Sequence, residues 1–593
     1  MPCYRTVPYR ALALVFALLL LSPLLAVAQN GTPVATAGPG LPGDLTRLVE
    51  TTLARFTLGP AADEADEERE LRRAERSVRE ALATEGYFDP QLRFEPPSQG
   101  TRPYRLIVEL GPLTRVAQVD LRFTGALAEP RFAERAAQLR AGWPLQPGTP
   151  FRSADWEQAR LRLLASTEER DFAGARIVDS RAEVHPETAT ANLAIEIDSG
   201  PAYTVGALEI EGLSRFDADL VKRFNPFRPG DRYERAKLVE FQQLLQDTPY
   251  FANAVTTLRL SPEDSDQAPL KVVVRESRLR RISAGVGYET NTGARVEVAY
   301  RQIQLFGNPW VLQTGARLEQ TGGLGFADVL FPPRRSGVQD SVGALIEDSE
   351  LEDLFVKRWG LGAARARTMG PRAGNNVVTR WSVNFEHEKR RTPTTDWQTL
   401  SALSTTYTWV RRNVNNVIEP RSGNIVRLEG TVGATGTTLD DAFLRGQARV
   451  QQYIPIGHRD VLILRGDLGY VEADSIAVVP TKFLFRTGGT TTVRGYNYES
   501  LGVKQGTATI GGRALAVASA EYVKWLERFG GNWGVAAFVD VGDAAEDLGK
   551  LDPALGVGLG ARFRTPAGPL AVYVAYGERE RQVRVHFSVA IAF

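Results

Sequence analysis

Cysteine is all but missing from this chain: the only one among 593 residues is Cys3, which precedes an apolar run. If that run is cleaved away, the remaining chain has no thiol. This excludes a disulfide framework, a thiol nucleophile and a Cys-ligated metal site. An excess of one charge is missing as well. The 71 Lys and Arg against 70 Asp and Glu leave a net charge of +1, whereas a nucleic-acid binder needs a clustered cationic excess. Histidine is scarce, and His185, His387, His458 and His586 stand far apart without metal-ligand spacing. There is no G-x-S-x-G nucleophile elbow and no phosphate-binding P-loop. The chain is therefore expected to be no enzyme, with no catalytic residues, no cofactor and no metal. No apolar run of helical membrane length, about 20 residues, follows residue 28.

The N-terminus reads as a removable secretory leader, residues 1–28. Arg5 and Arg10 give it a basic start, Ala11 to Leu25 is almost wholly apolar, and Ala26-Val27-Ala28 is a small-x-small cleavage site. The apolar stretch is short for a membrane span, and no lipid-attachment cysteine follows it.

Behind a Gly/Pro/Thr-rich lead lies a weak internal repeat. "GPLTRVAQVDLRFTG" (Gly111 to Gly125) and "GPAYTVGALEIEG" (Gly200 to Gly212) share a Gly-Pro, a threonine and then strand-like alternation. "PGTPFRSADWEQARLRLL" from Pro147 aligns with "PGDRYERAKLVEFQQLL" from Pro229. One constant offset takes Trp156 to Leu238, Ala159 to Phe241 and Leu163 to Leu245, an apolar stripe at helical spacing. The reading is three units ordered strand, helix, helix, strand, strand, at residues 40–111, 112–199 and 200–276. The first diverges: its opening strand is barely visible, and its charged run Asp63 to Arg79 reads as a solvated helix face.

From residue 277 to 593 helical spacing gives way to alternating strands separated by turns rich in Gly, Asn, Pro and Arg. In "RDVLILRGDLGYVEA" Leu462, Leu464, Leu468 and Tyr470 share one face, with Arg465 and Asp467 on the other. In "GNIVRLEGTVG" Val426, Leu428 and Val432 oppose Arg427 and Glu429. Apolar outside and charged inside is the pattern of a transmembrane β-barrel, because lipid offers backbone groups no partner and an open sheet edge cannot be tolerated there. Trp310, Trp359, Trp381, Trp397, Trp409, Trp525 and Trp533 suit interfacial belts. The chain ends on "VRVHFSVAIAF", with Val585, Phe587, Val589, Ile591 and Phe593 on one face, which reads as a strand protected by barrel closure. "GVGLG" (Gly556 to Gly560) reads as a barrel strand with small lumen-facing residues, since no helix follows it. A soluble β-rich binding protein, extractable without detergent, is the competing reading of the same alternation.

One further stretch, "VRGYNY" (Val493 to Tyr498), followed by "ASAEYVKWL" and "FVDVGDA", carries a family resemblance. With the leader, the three repeats and the barrel, it resembles the BamA/TamA superfamily of outer-membrane assembly proteins, whose periplasmic repeats are POTRA domains. Three repeats and no obvious plug helix resemble the TamA branch in particular. The resemblance implies α+β POTRA repeats in the periplasm followed by an antiparallel barrel of 16 strands in the bacterial outer membrane.

The resemblance also implies a site. Val493, Arg494, Gly495 and Tyr496 would lie on the long sixth extracellular loop, folded back into the lumen, where Arg494 would pair with Glu521 and Asp540. A lateral gate would lie between the first strand, Arg281 to Glu289, and the last, Arg584 to Phe593, with Gly285, Gly287, Phe587 and Phe593 at the seam. The implied partners are unfolded outer-membrane protein clients, outer-membrane lipid and a TamB-like periplasm-spanning protein anchored in the inner membrane. The implied work is insertion of barrel proteins such as autotransporters. A two-partner-type polypeptide secretion pore of the same superfamily is the alternative.

Overall fold

The computed structural model describes residues 32–58, 63–96, 103–370, 374–436, 438–527, 531–565 and 568–592, the side chains of 32, 568–569 and 588–592 excepted. The predicted leader and Phe593 lie outside the described residues. The chain divides into two compact units. One runs up to Ala207 and takes in Arg228–Ala236 and Leu258–Leu270; the other comprises Leu208–Phe227, Lys237–Thr257 and the chain from Lys271 onward.

In the first unit the strand, helix, helix, strand, strand order appears twice. The first repeat has strand Ala35–Ala37, helices Gly43–Leu53 and Glu64–Thr84, and strands Gln91–Glu95 and Tyr104–Glu109. Its opening strand precedes residue 40, where Ala-Thr-Ala offers too little alternation to read. The charged helix Glu64–Thr84 begins on a capping box, in which the Asp63 carboxylate accepts from Asp66 N–H at 2.8 Å and the Asp66 side chain accepts from Asp63 N–H. Its acidic first turn suits the helix dipole. Only Ala74, Val78 and Leu82, spaced by four, are buried, so the charge run is a solvated face over a narrow apolar stripe.

The second repeat has strand Arg115–Thr124, helices Ala133–Ala141 and Ser153–Glu168, and strands Arg176–His185 and Thr190–Asp198. In both repeats the opening strand pairs parallel with the last one, and the fourth element pairs antiparallel with it. Ala159 and Leu163 bury the predicted stripe against Ile195 and Ile197.

The third repeat has strand Val205–Glu211, helices Ala218–Lys222 and Arg235–Gln246, and strands Phe251–Leu258 and Ala268–Glu276. Phe241 and Leu245 are fully buried, as the repeat predicts. Within the second unit, the Glu276 carboxylate accepts from the N–H groups of Ser214 and Arg215, each at 2.9 Å. It also accepts from the Ser214 hydroxyl and the Arg215 guanidinium, each at 2.8 Å.

Burial alone would raise the Glu276 carboxyl; those donors outweigh it and hold the group at about 2. The unfolded chain carries the ordinary glutamate value of about 4.3. The stabilisation is therefore present in full above that value and is lost as pH falls towards 2. Hydrogen exchange at Ser214 to Phe216, corrected for intrinsic rate, is expected to show wild type better protected than Glu276→Gln at pH 6. The difference should vanish on approaching pH 2, and a pH-independent difference would contradict this account.

Sixteen strands close the barrel. In chain order they are β1 Arg280–Glu289, β2 Gly293–Gln302, β3 Val311–Glu319, β4 Gly322–Leu330, β5 Val338–Leu351, β6 Leu354–Met369, β7 Asn375–Arg391 and β8 Gln398–Val414. They continue as β9 Gly423–Gly436, β10 Asp441–Ile456, β11 Asp460–Ala473, β12 Ala514–Trp525, β13 Trp533–Ala545, β14 Ala554–Thr565, β15 Gly568–Gly577 and β16 Gln582–Ala592. Every neighbouring pair is antiparallel, and β16 pairs with β1.

The faces alternate as the sequence predicts. Leu428, Val432, Leu464 and Leu468 are exposed on the outside, while Arg445 pairs with Glu429 and Arg449 with Asp467 in the lumen. Trp359, Trp381, Trp397 and Trp533 are exposed on the outer wall. Trp525 departs from the predicted belt. It shares the lumen face of β12 with Glu521 and Val523, is 3% exposed, and lies under the Arg564 guanidinium at 3.7 Å. A cation–π partner outweighed the interfacial preference of the indole.

Candidate functional site in the barrel lumen

Between β11 and β12 the chain leaves the wall for residues 474–513, and this loop turns back into the lumen. Its apolar side chains, among them Val479, Phe483, Phe485, Val493, Tyr496 and Leu501, pack in one cluster with wall residues such as Phe443, Val471, Leu515 and Val517. Apart from a short hairpin, Val503–Gln505 against Ala508–Ile510, the loop has no sheet of its own, and it could not remain buried unless its backbone polar groups found partners. The lumen wall supplies them.

Arg494 is the largest fully buried side chain among the described residues, 1% exposed. On β12 Ser519 and Glu521 face inward, and on β13 Phe538 and Asp540; the register places Ser519 opposite Asp540 and Glu521 opposite Phe538. Asp540 takes Arg494 Nε at 2.7 Å and Nη2 at 2.8 Å, a two-point fork, and the Arg494 backbone N–H at 3.1 Å. Glu521 takes Nη1 at 2.8 Å. The Ser519 hydroxyl donates to Asp540 at 2.6 Å. The guanidinium carbon lies 3.5 Å from the Phe538 ring centre and 4.7 Å from that of Tyr573, which adds a cation–π contribution on its flat face.

The residues after Arg494 need a wall without side chains. A Cβ on Gly556 would lie 1.9 Å from the Arg494 carbonyl oxygen, and one on Gly577 2.5 Å from that of Gly495. Gly495 itself has φ +97°, the left-handed region open to glycine. Gly556, the first residue of the "GVGLG" run on β14, and Gly577 on β15 thus supply the bare wall against which the loop lies. Tyr496 is buried and donates its hydroxyl to the Leu555 carbonyl at 2.9 Å. Val493 is fully buried in the apolar cluster.

The structure brings Val493, Arg494, Gly495, Tyr496, Glu521 and Asp540 together. It also reveals partners that motif reading missed. Glu521 is shared: Arg562 donates to its other oxygen, Arg465 lies 3.4 Å from it, and the Tyr573 hydroxyl donates to it at 2.9 Å. Three guanidinium groups therefore surround two carboxylates. Arg465 was legible as inward-facing by alternation, and the same count along β14 gives Arg562; nothing in the sequence pattern joins them to Glu521.

A second anchor was also missed. The loop segment Ile476 to Phe485 is held by the loop-side ends of β7 and β10. Arg390 donates to the carbonyls of Val479 at 2.8 Å, Ala477 at 2.6 Å and Ile476 at 3.2 Å. Glu388 accepts from the Thr481 hydroxyl at 2.8 Å and the Thr481 N–H at 3.0 Å. Lys482 pairs with Glu386, and Arg445 donates to the Phe483 carbonyl at 3.1 Å. The signal lay in "FEHEKRR", where every second residue is charged and faces inward.

The predicted gate residues lie elsewhere, along the seam of β1 and β16. Gly285 pairs with Ala592 and Gly287 with Ala590, and ladder pairing ends at Glu289 opposite Ser588. Arg280–Ala284 pair with β2 alone among the described residues. Phe587 N–H donates to the Thr290 hydroxyl at 2.7 Å, and its carbonyl accepts Thr290 N–H at 2.9 Å. The buried loop touches both sides of this seam. On the β1 side Asn291 donates to the Thr490 hydroxyl at 2.8 Å; on the β16 side Gly495 N–H donates to His586 Nε2 at 2.9 Å, and Arg584 donates to the Gly495 carbonyl at 2.7 Å.

Residues 288–593 match the model of the Omp85 superfamily domain. Residues 39–112 match that of a POTRA domain described as TamA domain 1, and residues 203–277 a POTRA model described as a surface antigen variable number repeat. The outer membrane protein assembly factor BamA of Nitratidesulfovibrio vulgaris (strain Hildenborough) is 24% identical over 424 residues, 68% of this chain and 52% of that protein. BamA of Buchnera aphidicola subsp. Acyrthosiphon pisum is 29% identical over 133 residues, 22% of this chain and 21% of that protein. The chain thus spans about half the length of the first of these relatives and a fifth of the second. Among solved structures, BamA from Haemophilus ducreyi lacking POTRA domains 1–3 is similar in fold, with TM-score 0.66 at 18% identity, over 80% of this chain and 99% of that one.

Proposed function

The chain belongs to the Omp85 superfamily, an outer-membrane barrel with N-terminal POTRA domains in the periplasm, and from that premise we propose that it is an insertase subunit of the TamA type. In this reading it assists the assembly of β-barrel clients, autotransporters among them, and performs no covalent chemistry. The POTRA sheet edges receive extended client segments by strand addition, and a TamB-like inner-membrane-anchored protein docks on the same repeats. Its clients and outer-membrane lipid meet at the seam.

The observation that carries the proposal is the seam itself. Among the described residues its ladder runs over Gly285–Glu289 against Ser588–Ala592, whereas β6 and β7 pair over Phe355–Met369 and Val377–Arg391. A short ladder is the cheapest to open, and an opened β1 offers unpaired N–H and C=O groups that template an incoming strand. Gly285 and Gly287 add no side chain to hold it shut. The loop that bridges Asn291 and Arg584 couples the seam to the Arg494 cluster.

Gly285→Val together with Gly287→Val is expected to tighten the seam and to lower the amount of autotransporter assembled in the outer membrane. Heat-modifiable migration, which reports a folded barrel, should be unchanged. Normal autotransporter levels in a folded double variant would sink the gate. Loss of one secreted polypeptide from the medium, with barrel-protein levels intact, would favour the two-partner secretion pore instead.

A further inference from the structure

We propose that the outward face of β3 to β7, near the end of the barrel where the long loop emerges, is a binding site for a phosphorylated, multiply acylated lipid of the lipid A class. Two cross-strand rows build it. The upper row is Leu318, Gly323, Asp348, Lys357 and Lys389; the lower is Ala316, Gly325, Ile346, Trp359 and His387. These residues line one cavity of about 650 Å³. Leu318 and Ile346 are two-thirds exposed into it from either side of the glycines. A Cβ on Gly325 would stand 3.2 Å from Ile346 Cγ1, and one on Gly323 3.1 Å from Leu318 Cδ2, so the absence of side chains there creates the trough.

Charge gives the trough a direction. Lys357 and Lys389 are direct partners across β6 and β7, and like charges so placed are destabilising. Asp348 answers Lys357 from β5 at 3.1 Å; Lys389 makes no ion pair among the described residues. Arg391 stands one position further towards the rim on the same face, its guanidinium 4.7 Å from the Phe355 ring centre and 5.1 Å from that of Trp397. Glu350 on β5 shares the row of Phe355 and Arg391, so three outward cations face two carboxylates, and Lys389, opposite Lys357 and without an ion pair among the described residues, is the charge that an anion would answer. Conflicts of this kind mark functional positions.

The height fixes which lipid. Lys357 follows the Glu352–Asp353 turn by four residues, and that turn lies at the end where the loop sits, since Glu352 O accepts Thr509 N–H at 2.9 Å. At about 3.3 Å per residue the lysines are within about 15 Å of the rim, at the level of outer-leaflet head groups, with the trough beneath them in the acyl region. A ligand with phosphate at its head and several chains below fits both parts.

The test uses the full-length protein in detergent and native mass spectrometry with hexa-acylated bisphosphoryl lipid A, phosphatidylglycerol serving as the anionic comparison. Wild type is expected to retain lipid A in preference to phosphatidylglycerol. Lys357→Gln with Lys389→Gln is expected to bind lipid A about thirty-fold more weakly. Gly325→Leu, which fills the trough and keeps both lysines, should also weaken it. If the double variant does not migrate as a folded barrel, Lys389→Gln alone carries the charge test. Equal wild-type affinity for the two lipids, or unchanged lipid A binding in the charge variants, overturns the proposal.

Discussion

Replacing Arg494 with alanine is expected to free the distal half of the buried loop while leaving the barrel wall folded. Asp540 would lose both guanidinium donors and keep the Ser519 hydroxyl and the backbone N–H of residue 494. Glu521 would keep Arg465, Arg562 and Tyr573. Removing one partner of a buried ion pair costs about 3–5 kcal/mol, mostly through the charge left behind, and here that charge is Asp540. Two guanidinium groups then face two carboxylates, and departure of the loop lets water reach Asp540 and relieves its cost, so the change weakens retention of the loop rather than the wall. Glu521→Gln works in the opposite sense: it leaves three guanidinium groups with Asp540 alone and should destabilise β12 to β14 themselves. Protease nicking of the loop in intact outer membranes, scored beside heat-modifiable migration, separates the two. Arg494→Ala should nick readily and migrate as a folded barrel, and Glu521→Gln should lose heat-modifiability at a lower temperature. A loop as protected in Arg494→Ala as in wild type would refute this account. Arg494→Lys should fall between, since one ammonium cannot make the two-point fork.

The sequence disclosed most about the parts that repeat or alternate. Strand periodicity exposed the barrel because lipid demands an apolar residue at every second position, and Leu464 and Leu468 against Arg465 and Asp467 sufficed to orient a wall. The constant offset from Leu163 to Leu245 exposed the POTRA helices because the same buried stripe recurs. The first repeat was hardest to read, since its opening strand has three small residues and its long helix buries only Ala74, Val78 and Leu82. In the lumen, Arg494, Glu521 and Asp540 were legible through family motifs alone. Arg562 and the β7 triplet Glu386, Glu388 and Arg390 were legible only as inward-facing charges, and what they and Tyr573 meet was not, because it depends on barrel closure and on the path of a loop without period. Trp525 shows the limit of composition as a guide: an aromatic near a strand end belongs to a lipid belt only if its parity points outward, and β12 points it in.

Releasing both anchors together is expected to open the lumen. The loop's charged anchors on the wall lie at two separated places: at Arg494, and at the segment Ile476 to Phe485 gripped by Arg390, Glu388 and Arg445. Hydrogen bonds to charged groups contribute about 1.5–3 kcal/mol each. Arg390→Ala with Glu388→Gln therefore removes several kcal/mol from the proximal half, comparable with the loss at Arg494. Either change alone leaves half of the loop packed against Phe443, Val471 and Val517, still obstructing the lumen. Only the three substitutions together should let the whole segment leave. In planar bilayers each partial variant should conduct little more than wild type, and the triple variant should show large, long-lived openings, a more than additive change of the kind expected when two restraints hold one element. Full conductance from Arg494→Ala alone would mean that the β7 contacts contribute nothing to retention. A silent triple variant would mean that apolar packing, rather than the two polar anchors, keeps the loop inside.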